Sequence, residues 1–558
     1  MQGDLEHSSV TNVDCQLRKT YGSCEALPFY REHEGKRYCV LHHPSEDKVA
    51  DFKKVLDKKL ESEDFTFRRA FFPSRSTSLF ENREFSSLAD FSGARFVEHV
   101  NFSGARFVEH ASFSDAAFGG VANFSGATFD QRAHFAYATF IGEQAAFFRT
   151  AFGGRADFSD ATFRGPVGFA DTTFGDELAD FSRVTFDNLM GFIYATFGGE
   201  ASFAFAIFRG QLADFSEATF GGHAHFNGAR FDKGSAFAKA NFDKVADFSK
   251  ATFGWMANFS EANFLEDANF SEANFLEDAI FSEAGFGKGA DFSKAGFGKG
   301  ADFSKATFKE NAQFSGLKVS PITALDLQNS TIEKPERISF HTTYLRPSWF
   351  VDVDAQKFDF TDVEWFRLPT GEQLDLEDEI EVLRSRKSEY GSPTESPESL
   401  RKLTKACRRL MNNAEENRDY PTANEFHYWS MEAQRKEGWS RLGLIATLYW
   451  ALSGYGERPL RALGVLGAMY AVFALLYMLL PSSPFSVLSS SHSSSGVCQS
   501  IGCIGQAATY SLSALARLIP AEPKLSPGLF HFLVTVEGLL GPLQIALFLL
   551  AVRRKVMR

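Results

Sequence analysis

From Phe91 onward phenylalanine returns at positions 91, 96, 102, 107, 113, 118, 124, 129, 135 and 140, in steps that alternate between five and six residues. A helix repeats every 3.6 residues and a half-buried strand every two, so neither accounts for these steps. A square coil with one Phe on each side does. Each side is then a very short strand, each corner a turn, and two eleven-residue repeats close one coil. Two positions before most of these rings stands a small or apolar residue, as at Ala89, Ala94, Ala105 and Ala116, and the positions between are polar. The pattern predicts a narrow core in which small and large inward side chains alternate. Composition agrees, because 62 Phe against 6 Trp and 14 Tyr is too narrow an aromatic bias for a varied globular core.

Segments such as Ala89-Asp90-Phe91-Ser92-Gly93, Ala246-Asp247-Phe248-Ser249-Lys250 and Ala257-Asn258-Phe259-Ser260-Glu261 resemble the pentapeptide-repeat family. The resemblance implies an all-β fold, a right-handed quadrilateral β-helix. At a strand spacing of about 4.8 Å, Phe91 to Phe314 corresponds to roughly ten coils and a rod of about 50 Å. Three steps of seven interrupt the code, from Phe140 to Phe147, Phe174 to Phe181 and Phe208 to Phe215. They read as tolerated corner bulges; the sharper alternative is a contact ridge on the rod. After Phe314 the code decays to Val319, Leu327 and Ile332, and the stretch from Trp349 to Trp365 is suited to cap the exposed core edge. The outer face mixes Asp and Glu with Lys and Arg and gathers no catalytic set in one place, so the chain is not expected to be an enzyme.

Ahead of the repeats, Cys15, Cys24, Cys39 and His42 form a cluster in which Cys39-Val40-Leu41-His42 is a compact knuckle. Thiolates with one imidazole suit tetrahedral zinc, and a small polar segment gains stability from such a staple. His43 could substitute for His42, and the alternative is three buried or free thiols. The cysteine count is otherwise too low for a disulfide scaffold. The expected organisation is a zinc-knuckle-like domain over 1–50, a cap or linker over 51–88, the solenoid over 89–340, a second cap and linker over 341–396, a helical hairpin over 397–438 and a membrane domain over 439–558.

The hairpin is read from a helix over about Glu398–Glu416 and another opening near Pro421, where proline is tolerated in a first turn, and running to about Lys436. It resembles a single tetratricopeptide-like pair, too little for a peptide-binding array, and serves as a spacer. Arg401, Lys402, Lys405, Arg408 and Arg409 make its first helix basic enough to face anionic lipid. Two apolar runs, at about 460–480 and 529–552, are long enough to cross a bilayer. Arg458 and Arg461 precede the first, and Arg553, Arg554, Lys555 and Arg558 follow the second, so the positive-inside rule predicts a multi-pass protein of the cell membrane with both termini in the cytoplasm. Residues 439–455 read as an interfacial helix rather than a third crossing.

Between the spans lie Cys498 and Cys503, a pair that could form a disulfide, and then an apolar segment at about 505–520 too short to cross, which reads as re-entrant. The order span, re-entrant helix, span resembles a two-transmembrane pore-loop subunit, and Tyr510-Ser511-Leu512-Ser513 resembles the start of the pore helix in potassium-channel-like domains. The resemblance implies a homo-oligomer, a tetramer if a pore forms. It fails at the filter, where Ala516-Arg517-Leu518-Ile519-Pro520 replaces a Thr and Gly-rich turn, so potassium selectivity is not expected. Arg517 either forms a positive ring that favours anions or pairs with Glu522 in a closed structure. Glu537 lies inside the second span, where an ionisable group is costly and therefore a functional candidate; the alternative is a hydrogen bond to a neighbouring helix, through Arg517 or Gln544. Gly541 and Pro542 should kink the same span and offer a gate hinge.

Three functional readings follow. The first is a channel-like membrane protein whose cytoplasmic solenoid senses or docks an unidentified protein partner, with membrane lipid around its helices. The second is a non-conducting anchored scaffold. The third, ranked low, is a DNA mimic acting on topoisomerases, as in soluble pentapeptide-repeat proteins. The net charge of −12 argues against general nucleic-acid binding, which needs a basic face.

Overall fold

A computed structural model of the chain describes residues 15, 27, 29–74, 80–319, 323–367, 370–387, 397–437, 441–479, 500–515 and 528–556. They divide into two compact units, one of Met1–Val353 with Lys357–Gln373, the other of Asp354–Gln356 with Leu374–Arg558.

The first unit is a four-sided parallel β-solenoid. Its two-residue and three-residue strands stack into four sheets of 12, 11, 12 and 13 strands, each strand pairing with the one a full coil away. Ala89-Asp90 lies beside Ala111-Ser112, which lies beside Ala133-His134. The Phe and Ala positions anticipated as core are buried throughout, Phe91, Ala94, Phe102 and Ala105 among them at 0% exposure. Rings in one column lie parallel, as Phe113 on Phe135 at 4.8 Å, and meet the facing column edge-on, as Phe113 and Phe124 at 5.3 Å. Both geometries suit the aromatic quadrupole.

The two kinds of step are two kinds of corner. Five-residue steps pass through a left-handed residue, supplied by Gly93, Gly104 and Gly126 but equally by Asp115, Tyr137, Arg149 and Lys250. A non-glycine residue there costs of order 1–3 kcal/mol, and the ladders on both sides of each corner hold it. The seven-residue steps place one extra residue in a corner without disturbing the register. Ala145, just beyond the first, still pairs with Ala122 and Val167, and Ala179, beyond the second, with Ala156 and Ala201.

The coils extend past both ends of 89–340. Phe67, Phe72, Phe80 and Phe85 lie beneath Phe91, Phe96, Phe102 and Phe107, at 5.2, 4.5, 4.8 and 4.5 Å. The eight-residue step from Phe72 to Phe80 hides this coil from a periodicity search. At the other end Phe314 stacks on Phe340 at 4.7 Å and Phe340 on Phe360 at 5.6 Å. Phe350 and Trp365 pack on Phe360 and, with Trp349, are buried over the last ring. Upstream, the hairpin of β1 (Phe29–His33) and β2 (Lys36–Cys39) and the helix α1 (Val49–Glu61) adjoin the first coil, with Phe52 of α1 against Phe72 at 5.2 Å.

The second unit is helical: α2 (Leu376–Lys387), α3 (Pro397–Glu416), α4 (Tyr420–Lys436), α5 (Arg441–Ser453), α6 (Pro459–Leu479), α7 (Ser500–Leu515) and α8 (Leu529–Val556). The α3–α4 hairpin closes over Leu403, Cys407, Leu410, Phe426 and Ala433, all buried, and Asp419 caps α4 by accepting from the Thr422 amide at 3.3 Å. Among the described residues, two helices are long and apolar enough to cross a membrane, α6 and α8. At 21 residues α6 is about 30 Å long, the thickness of a hydrocarbon core. Leu460, Val472, Leu475, Leu543 and Leu549 on these helices are more than half exposed.

Candidate functional site

The functional residues named from sequence fall in two places. In the first unit, Cys39 ends β2 and the chain turns tightly after it, with the His42 and His43 amides donating to the Cys39 carbonyl at 3.2 and 3.1 Å. That turn brings His42 Nδ1 to 3.1 Å from Cys39 Sγ and 3.7 Å from Cys15 Sγ, all three residues buried. Buried Lys48 pins the knuckle by donating to the carbonyls of Val40 and Leu41 at 2.6 and 3.0 Å. Burial opposes a charge on His42, yet its hydrogen bonds with Cys15 and Cys39 outweigh that and push its pKa up to about 9.

The trio can hold a metal ion. The two sulfurs and the imidazole nitrogen all lie within 4.8 Å of one another, near enough to share one tetrahedral ion whose ligand edges are roughly 3.5–3.8 Å. The other ring nitrogen, Nε2, faces the Arg68 carbonyl at 3.0 Å, the outer contact that orients a ligating imidazole. His43, the alternative ligand, turns away and sits edge-on to Tyr30, His33 and Tyr38 at 5.7–6.2 Å. Cys24 lies outside the described residues.

In the second unit, α6, α7 and α8 pack on one another and converge on Glu537, which is fully buried. Its carboxylate accepts from Tyr477 of α6 at 2.5 Å and from Ser511 of α7 at 2.5 Å. Tyr510 is half-buried beside this pair, its ring 5.6 Å from Tyr477 and 6.0 Å from Phe530. Ser513 instead donates to the Tyr510 carbonyl within its own helix, at 2.8 Å. Gln544, considered from sequence as a Glu537 partner, donates to the carbonyls of Leu452 and Ala462 at 2.8 and 2.9 Å and ties α5 and α6 to α8.

α8 remains helical through Pro542, and Gly541 is where α7 comes closest: a Cβ there would lie 2.7 Å from the Leu515 carbonyl oxygen. Arg517, Glu522 and Cys498 lie outside the described residues.

Two features were not anticipated. Tyr477 gives the second of the two hydrogen bonds to Glu537; its signal is a phenol in an otherwise apolar span, which must find a partner when buried. The other is a polar joint below the spans. Arg554, near the end of α8, donates to Glu457 at 2.6 Å and to the Tyr455 carbonyl at 3.2 Å, and the buried Tyr455 hydroxyl donates to Glu432 of α4 at 3.0 Å. Hairpin, α5, the start of α6 and the end of α8 thus meet through charge-assisted hydrogen bonds.

Such a chain is a repeat solenoid joined to a helical unit with two segments able to span a membrane. Its middle coils match pentapeptide repeats: the family described as Pentapeptide repeats (9 copies) matches residues 147–189, 192–240, 237–285 and 270–318, all within the solenoid. No curated protein and no solved structure matches the chain.

Proposed function

We propose that this is a membrane-anchored, non-enzymatic pentapeptide-repeat protein, a channel-like homo-oligomer whose solenoid senses or docks a protein partner on the cytoplasmic side. The observation that carries the reading is the packing of the short helix α7 between two span-length helices around the buried Glu537. A carboxylate in an apolar bundle is costly, and its placement on a helix long and apolar enough to cross a bilayer marks functional machinery. The apolar surface left open on α6 and α8 suits lipid and neighbouring subunits. The contact of Arg554 with Glu457 brings the start of α6 and the end of α8 to one side, in keeping with both termini in the cytoplasm. The ion held by Cys15, Cys39 and His42 is zinc in a structural role, with the thiolates and imidazole fixing the knuckle against the first coil.

A non-conducting scaffold is the second reading, and it is favoured by the Glu537 carboxylate having two donors inside a single chain. Full-length protein reconstituted in planar bilayers separates the two. The channel reading expects unitary currents that change in amplitude or open time in Glu537→Gln. Silence across voltages and salts, from protein whose insertion is verified, would leave the scaffold.

A further inference from the structure

The outward face of the 11-stranded sheet changes character in its middle. Its outward strand residue is polar at Asn101, Asn123, Asp214, Asn258 and Asp302 and apolar on isolated coils at Ala236 and Ile280, but on three successive coils it is Ala146, Gly168 and Gly191. On the same three coils the serine that elsewhere follows the core Phe, as at Ser125 and Ser216, is replaced by Phe148, Ala170 and Ile193. The sheets on other sides keep Thr162, Thr173 and Asp180 outward at this level.

The two glycines differ in what they accommodate. A Cβ at Gly168 would lie 2.2 Å from Phe148 Cζ, so that glycine lets the Phe148 ring lie across the strand. At Gly191 nothing lies within 4 Å of where a Cβ would be. No contact among the described residues accounts for its missing side chain, and a glycine inside a strand weakens it unless another backbone approaches closely.

Along one edge of this face, four successive left-handed corners carry Arg149, Asp171, Tyr194 and Glu217. Arg149 and Asp171 are 3.6 Å apart, Tyr194 donates to Glu217 at 3.1 Å, and all four are exposed. Read in reverse, this column complements itself. We propose that two copies of the solenoid pack antiparallel through this face, about a two-fold axis between the Gly168 and Gly191 coils.

That axis sets Arg149 of each copy opposite Glu217 of the other, and each Asp171 carboxylate opposite a Tyr194 hydroxyl. Gly168, with the Phe148 ring lying over it, then faces Gly191 of the other copy, whose open Cβ position receives that ring, and Ala170 faces Ile193. No like charges along this column are opposed. A parallel pairing, with its axis along the rod, would lay this column against the other edge of the face, and the match would be lost. The interface is isologous, each copy giving the same patch.

The test uses the full-length chain in detergent micelles, single added cysteines and a short bis-maleimide, with the parent chain as the control for native thiols. Gly191→Cys is expected to cross-link to itself as a dimer. Arg149→Cys and Glu217→Cys are each expected to fail alone and to cross-link when mixed. In the Gly191→Cys background, Arg149→Glu should cut the dimer at least tenfold and Glu217→Arg added to the same chain should restore it. The two positions are three coils, about 14 Å, apart within one chain, so restoration reports a contact between copies. Arg149 and Glu217 are exposed and half-buried Gly191 has open space for a side chain, and an unchanged far-ultraviolet circular dichroism spectrum verifies the fold. Self-cross-linking of Glu217→Cys would contradict the antiparallel register and overturn the proposal. Absence of the Gly191→Cys dimer would overturn it too, while leaving the channel reading untouched.

Discussion

The Asp or Asn before so many of the buried rings is a turn-holding residue. Asp90, Asn101, Asn123, Asp247 and Asn258 each accept from the amide two residues on, at 2.9–3.0 Å, so these side chains shape the start of each left-handed corner. Asp247→Ala is expected to cost about 1 kcal/mol in denaturant unfolding. At Thr150 and Thr172, where other coils bury Ala, the hydroxyls donate to the Phe124 and Phe147 carbonyls at 2.8 and 2.6 Å. At Glu537, Tyr477→Phe removes one of two donors to a buried carboxylate and should destabilise the helical unit by about 1–3 kcal/mol, while Tyr477→Phe with Glu537→Leu should cost less than the two single changes added. Unfolding in micelles followed by circular dichroism checks both. At the knuckle, elemental analysis should find one zinc per chain, lost in His42→Ala and kept in His43→Ala. The sequence left that pair of histidines open because the choice depends on how the turn after Cys39 aims two adjacent rings.

Elements in the solenoid were legible because the code is local: each strand and corner carries its own Ala, Phe and turn residue. The first coil was missed although its four rings fill the same four slots, since the longer connection between Phe72 and Phe80 breaks the period without breaking the stack. Phe203 shows what one slot is worth. It lies parallel to Phe181 and Phe226 at 4.9 and 4.8 Å and edge-on to Phe192 at 5.4 Å, so Phe203→Ala should cost about 3–5 kcal/mol by chemical denaturation. Among the helices, α3 and α4 fall near the limits expected from the proline at the opening of α4 and the charge pattern. The 541–542 pair was expected to act as a hinge. The structure gives Gly541 a packing role against Leu515, and Gly541→Leu should separate α7 from α8 and lower the melting temperature of the helical unit.

For the whole molecule, the two units have different cores, one a column of rings between short ladders and the other helices with an apolar exterior. They are expected to unfold in two separable steps. Phe203→Ala should move the first unit's step and leave the helical one in place, and Tyr477→Phe should do the reverse, as read by hydrogen exchange resolved along the chain. A single merged transition moved equally by both would contradict this.

Sequence alone determined the four-sided coil, its core rings, the tight knuckle at Cys39 and the two long apolar helices, because each is written as a residue pattern within a short stretch of chain. Only the tertiary structure decided that His42 and not His43 joins the thiols, that Tyr477 and Ser511 hold Glu537, and that Ala146, Gly168 and Gly191 share one outward face. Those pairings join residues from 22 to 60 positions apart in sequence, and no local preference specifies them. They exist only once the coils have stacked and the helices have packed.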